Sequence, residues 1–264
     1  MLTYGFMQYA LIVSVFIAVL CPMIGIFLIL RRYSMIGDTL SHASLAGITI
    51  GLAVGGNPVI GAFLFTSVCG ALIEFLRGYF RKNADLILSI VLALCVGTAI
   101  TIMSSGRLHE SADSFLFGSI LTVKISDLVT VAVLSAVSVA TLLLLYHQML
   151  YIAYDEEAAK VAGVKVRVLN YVFLVLVAMA ISVAIRIVGV LVISSMITLP
   201  VATAMQLGRG FKKTLVFSVV FSLIDVLAGL ILSFYIGVAP GGFTALVSVF
   251  VLFMTMLCKK VVRK

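Results

Sequence analysis

An acid and an imidazole stand four residues apart inside an apolar run: Asp38 and His42, in GDTLSHASLAG over residues 37–47, just after the basic pair Arg31 and Arg32. Titratable groups are costly in hydrocarbon, so an intramembrane Asp/His pair points to function, with each residue the other's first candidate partner. Residues four apart share one helix face, where a carboxylate and an imidazole can converge on one ion or bond each other. With the membrane boundary near Arg32, helix rise puts His42 roughly 15 Å deep and Asp38 about 9 Å deep in a core of about 30 Å. Gly37, Gly47 and Gly51 would allow local unwinding, as in the discontinuous helices where transporters place ion sites.

A neutral imidazole with a carboxylate suits zinc, manganese or ferrous iron, whereas magnesium and calcium prefer oxygen alone. Zinc takes about four ligands and one copy of the motif offers two, so a twofold homodimer with the motif at its axis would complete the set. Spacing alone leaves three readings of the pair open: a metal relay, a structural hydrogen bond and a proton relay.

Other residues attach to these readings. Ser41 and Ser44 either support the ligands or pack helices. Pro200, in VISSMITLPVATAMQ, has Ser194, Ser195, Thr198 and Thr203 around it, hydroxyls able to satisfy backbone groups that a proline frees; its helix is a kinked packing element or lines a pathway. Asp225 must face protein or water, and a structural hydrogen bond or a pairing with Arg186 is expected ahead of a transport role. His109, Glu110 and Asp113, in HESAD, form either a metal-capturing outer cluster or a solvated loop. His147 reads as a helix C-terminal cap.

The elements that must position these residues are membrane helices. A chain of 264 residues that is 63% hydrophobic and 11% charged, with mean hydropathy +1.30, is not a soluble globular protein. Apolar runs repeat from end to end, which reads as a single transmembrane domain over residues 1–264, multi-pass in the plasma membrane. The N-terminal run lacks a basic n-region and a small-residue cleavage site, so it is expected to stay as the first span. The four cysteines have no CxxC spacing and read as buried free thiols.

Charge then sets topology. Of the 18 Lys and Arg, 15 fall in five clusters at the ends of apolar runs, the positive-inside signature. The net charge of +8 therefore reports orientation in a bilayer, with no nucleic-acid partner expected. With all five clusters cytoplasmic, each interval between them crosses an even number of times. The hairpins expected are 35–54 with 59–76, 86–103 with 128–146, two spans within 168–207 turning near 186–189, and a last pair turning at 238–242. The fold class is all-α, with about nine transmembrane helices, or eight to ten if one segment is short or re-entrant.

Residues 154–163, YDEEAAKVAG, read as a short capped cytoplasmic helix. Asp155 is the N-cap, Glu156 and Glu157 complement the positive helix start, Lys160 the negative end, and Gly163 takes the left-handed C′ position. Ala158, Ala159, Val161 and Ala162 would let a partner surface approach closely, the alternative being an inert connecting helix. No GxxxxGK[ST] loop, HExxH motif or nucleophile–base pair occurs, so the chain is not read as an enzyme, and nucleotide energy would have to come from another subunit.

Four blocks in order over nearly the whole chain, RRYSMIGDTLSHASLAGI, LFGSIL, YDEEAAKVAGV and VGVLVISSMITLPVATA, closely resemble the permease subunit of zinc/manganese ABC importers. The resemblance implies a homodimeric permease joined to two cytoplasmic ABC ATPase subunits and fed by an extracytoplasmic metal-binding protein. It implies a transported Zn2+, or Mn2+ or Fe2+, with no permanently bound cofactor. It carries the family's intramembrane metal site onto Asp38 and His42, and its ATPase-coupling helix onto the stretch from Asp155 to Gly163. GDTLSHASL looks more like the zinc members than the manganese ones. The competing expectation is a self-contained secondary or proton-coupled metal transporter.

Overall fold

The computed structural model describes residues 5–80, 84–105, 116–118 and 125–262, with the Arg186 side chain outside that set. His109, Glu110 and Asp113 lie outside the described residues. The described chain is helical throughout: α1 (Gly5–Leu30), α2 (Ser34–Ala53), α3 (Pro58–Arg77), α4 (Ala84–Ser104), α5 (Ile125–Leu144), α6 (Tyr146–Tyr154), α7 (Glu156–Val161), α8 (Val166–Val188), α9 (Val190–Gln206), α10 (Phe211–Ile236) and α11 (Pro240–Val262).

Punctuation in the sequence sets these boundaries. Asn57 caps α3 by accepting from the Val59 amide at 2.9 Å, with Pro58 at the first helical position, where its missing N–H costs nothing. Gly237 closes α10 in the left-handed region at φ 76°, and Pro240 opens α11. Gly189, at φ 80° and ψ 157°, alone separates α8 from α9, a conformation that side chains with a Cβ avoid.

Six described helices are long and apolar enough to cross a membrane, or seven when α5 and α6, bent by 67° at their junction, are counted together as one broken span. The expected count of about nine adds α2 and α9. α2 has the length, but its polar residues lower its hydropathy; α9 is apolar but has 17 residues.

α1 and α8 are the most enveloped spans and α4 and α11 the most exposed. α1 packs against α8, α9 and α10; α2 against α3, α4 and α9; α10 against α9 and α11. Leu246, Phe250 and Phe253 of α11 stay exposed, as expected of a bundle whose solvent is lipid. Because lipid gives helices no hydrophobic reason to associate, close approach through small residues has to hold them. A Cβ on Gly47 would lie 2.5 Å from the Gly61 carbonyl oxygen, and one on Gly229 would overlap the Thr244 side chain.

The basic ends converge on one face. Arg31 follows α1 and reaches Asn170 of α8, while Arg77 at the end of α3 lies 3.9 Å from Glu156 of α7. The rings of Phe27, Phe211 and Tyr146 pack in series, tilted, with centroids 5.6 and 5.8 Å apart, drawing the start of α10 and the α5–α6 bend to the same face. By the positive-inside rule it is the cytoplasmic one. At the opposite end of α8, the backbones of 117–118, 187–189 and Gly241 meet so closely that a Cβ on Gly118 or Gly241 would overlap a neighbouring carbonyl.

Candidate functional site

Asp38 and His42 both lie on α2, which runs unbroken from Ser34 to Ala53. Local unwinding at its glycines does not occur. Gly47 and Gly51 instead face Gly61 of α3, where absent side chains let two backbones touch. The helix thus holds the acid and the imidazole at a fixed i, i+4 relation on one face.

Both side chains are partly exposed, in contrast to their buried neighbours Ser41, Ala43, Ser44 and Ala46. Asp38 Oδ1 accepts from Ser194 Oγ of α9 at 3.5 Å. His42 has no hydrogen-bond or ion-pair partner among the described residues, and Asp38 and His42 do not bond each other. Among the described residues no three His, Cys, Asp or Glu side chains gather in one place. One chain therefore offers a carboxylate and an imidazole, with a hydroxyl next to the carboxylate.

Ser41 Oγ donates to the Gly37 carbonyl at 2.7 Å and Ser44 Oγ to the Ser41 carbonyl at 2.7 Å. Both hydroxyls are thus spent on the backbone of their own helix, and both residues are buried in the packing. Pro200 is buried inside α9, the helix that brings Ser194 to Asp38. Thr198 and Thr203 donate to the carbonyls of Ser194 and Leu199 at 2.8 and 2.9 Å. Neither is the Met196 carbonyl four residues before the proline, so these threonines do not answer the group that Pro200 frees. Ser194 was legible as a hydroxyl near Pro200, but its approach to Asp38 depends on α9 crossing α2, which no local pattern records.

Asp225 is fully buried on α10. It faces Ser248 of α11, yet neither carboxylate oxygen has a hydrogen-bond partner among the described residues, and the same holds for Ser222 and Ser248. The expected structural hydrogen bond is therefore not made among the described residues, and the alternative pairing with Arg186 lies outside them. His147 is the second residue of α6, exposed and edge-on to Tyr146 at 5.3 Å; it stands at a helix start, not at a C-terminal cap. Cys21, Cys69 and Cys95 are buried free thiols, with the Cys69 and Cys95 sulfurs 3.6 Å apart, whereas Cys258 is exposed on α11.

The stretch from Asp155 to Gly163 folds as its sequence dictates. Asp155 Oδ1 accepts from the Ala158 amide at 2.9 Å, Glu156 and Glu157 occupy the first turn of α7, and Lys160 the last. Gly163, at φ 83°, donates to the Lys160 carbonyl at 3.1 Å while Val164 donates to the Ala159 carbonyl at 3.0 Å, a Schellman closure. Lys160 bonds Glu157 at 2.7 Å, which raises its pKa above the ordinary lysine value, with Glu156 adding to the effect. Ala159, expected to meet a partner, is completely buried, and Ala158 is only partly exposed. The outward surface belongs to Glu157, Ala162 and Val161, the last 90% exposed.

Comparisons with known proteins identify the family and the fold. Residues 3–259 match the ABC 3 transport family. A metal transport system membrane protein of Treponema pallidum is 51% identical over 263 residues, covering 100% of this chain and 99% of its own. A manganese transport system membrane protein of Listeria innocua is 29% identical over 257 residues, covering 97% and 92%; other relatives are named for zinc and for iron. The solved structure of PsaBC from Streptococcus pneumoniae in complex with Fab superposes with a TM-score of 0.85 at 27% identity, over 96% of this chain and 91% of that one. The chain belongs to the ABC 3 transport family, as a multi-pass membrane permease of metal ABC transporters.

Proposed function

We propose that the chain is the permease half-unit of an ATP-driven importer for a divalent transition metal, zinc first among zinc, manganese and iron. Two copies would meet about a twofold axis, so that two Asp38 and two His42 side chains supply the roughly four ligands zinc prefers. An extracytoplasmic metal-binding protein delivers the ion, and two cytoplasmic ATPase subunits grip α7. The observation that carries the reading is the pair itself: a carboxylate and an unbonded imidazole on one face of an unbroken helix, beside a second helix whose hydroxyl reaches the carboxylate. A mixed nitrogen and oxygen donor set selects transition metals over magnesium and calcium, and a site completed only between two chains can open to release its ion.

The test is uptake into vesicles holding this chain with its ATPase partner, with zinc, manganese and iron supplied in turn and the imported metal measured by elemental analysis. ATP-dependent zinc accumulation above the other two is expected. Uptake by the chain alone, without nucleotide, would replace this reading with a self-contained secondary transporter. A preference for manganese or iron would keep the importer and change its cargo.

A further inference from the structure

Seven side chains at the cytoplasmic face join the outward-facing α7 to the N-cap of α2, the helix that carries Asp38 and His42. The inner links are the more buried. Glu74 of α3, 8% exposed, accepts from Arg77 Nη1 at 3.0 Å and from Asn170 Nδ2 of α8 at 3.0 Å, and Asn170 in turn accepts from the Arg31 guanidinium. Arg31 and Arg77 both lie over the Tyr33 ring, at 5.3 and 4.8 Å from its centroid. The outer links are longer and wetter. Arg77 Nη2 stands 3.9 Å from Glu156 Oε2, and Lys160 Nζ 3.4 Å from Glu156 Oε1, with side chains 28%, 32% and 46% exposed.

Tyr33 is where this cluster meets the site. It is the N-cap of α2, and its side chain makes no capping bond. Its amide donates to the Leu28 carbonyl of α1 at 2.7 Å and its carbonyl accepts from Ile36 at 2.9 Å. Arg32 before it holds a left-handed φ of 57°, an uncommon conformation for a side chain of that size. The α1–α2 joint is therefore a sharp, over-determined corner, held from the side by two guanidinium groups. Burial pushes Arg31 below the ordinary arginine value, and Tyr33, Glu156 and Glu74 act in the opposite sense. A cleft of about 720 Å³ opens beside the cluster, lined by Glu74, Arg77, Glu156, Glu157, Lys160 and Asn170, which leaves room for the outer pairs to re-form when α7 shifts.

Building on the importer reading above, we propose that Glu74, Arg77, Asn170, Arg31 and Tyr33 are positioning residues that transmit displacement of α7 to the start of α2, and so to Asp38 and His42. A short, more buried inner cluster moves as a unit, whereas the exposed Arg77–Glu156 link can break and re-pair. Arg77 belongs to both, which makes it the point of transfer.

The experiment uses the full chain assembled with its ATPase subunit in vesicles, and reads zinc or manganese imported per ATP hydrolysed. Glu74→Gln keeps the shape but removes the charge that two donors address. Coupling residues of this kind shift an equilibrium by amounts that correspond to roughly 2- to 30-fold, so a fall on the order of tenfold in metal per ATP is expected, with ATP hydrolysis and assembly retained. Tyr33→Phe keeps the ring face and should match the wild type, while Tyr33→Leu should fall with Glu74→Gln. An unchanged ratio in Glu74→Gln and Tyr33→Leu overturns the proposal. Loss of assembly in both variants, with Tyr33→Phe intact, assigns the cluster to scaffolding and also overturns it. A wild-type chain that does not assemble with an ATPase, or imports without ATP, instead overturns the importer reading on which this one rests.

Discussion

Ser41 turns its hydroxyl into the helix that carries it, while His42 beside it keeps both ring nitrogens unbonded to any described residue. That difference decides which substitutions should matter. His42→Ala and Asp38→Ala should each lower metal uptake by at least about 10- to 100-fold at equal expression, since changes merely adjacent to metal ligands already cost that much; full uptake in both would remove the site. Ser194→Ala removes one long 3.5 Å contact to Asp38 and should cost about tenfold, the low end for a residue bonded to a metal ligand, measured in the same assay. Asp225 presents the opposite case, a fully buried carboxylate with no bonded partner among the described residues. Asp225→Asn removes a charge that burial penalises while keeping the shape, so the stability of the purified protein should hold or rise by about 1–3 kcal/mol, read as an unchanged or higher melting temperature. A marked drop would reveal a cation paired with it.

Helix α2 is straight because its glycines are used sideways. Gly47→Ala would set a methyl 2.5 Å from the Gly61 carbonyl oxygen and 2.7 Å from the Ala62 Cα, backbone atoms that cannot turn aside. The expected cost is about 1–3 kcal/mol of stability, seen as a lower melting temperature in detergent, whereas Gly37, with open space around its Cβ direction, should accept alanine. Helix α7 is the reverse case, a six-residue element too short to persist by propensity. It depends on its caps and on the buried Ala159. Asp155→Ala should loosen it by about 1 kcal/mol and raise amide exchange across residues 156–161 without changing the spans.

At the scale of the whole molecule, the exposed side of α7 is the place to separate docking from folding. Ala159 is completely buried, so enlarging it would disturb the chain itself. Val161 is 90% exposed, and Val161→Glu should leave the melting temperature of the isolated chain unchanged while lowering recovery of the ATPase subunit on purification by roughly tenfold or more, the size of a central interface contact. Equal recovery would move the docking surface away from α7. The bundle as a whole exposes apolar side chains on α4 and α11 and gathers its basic ends at one face, the arrangement a bilayer imposes from both of its chemical regions.

Much of this was legible in the residues themselves. Alternation of apolar runs with basic ends determined the all-α membrane class, because hydrocarbon and headgroup sort side chains by chemistry alone. The capped helix from Asp155 to Gly163 was legible for the same kind of reason, its partners lying within one turn. So was the pairing of Asp38 with His42 on one face, which the 3.6-residue period enforces. What only the tertiary structure decided depends on which helices cross. Gly47 meets Gly61, Ser194 reaches Asp38, Ala159 turns inward, and Glu74 of α3, Asn170 of α8 and Arg31 of the α1–α2 corner close one cluster. Those contacts span residues far apart in the chain, and no local periodicity encodes which faces will meet, since lipid rewards every apolar face alike.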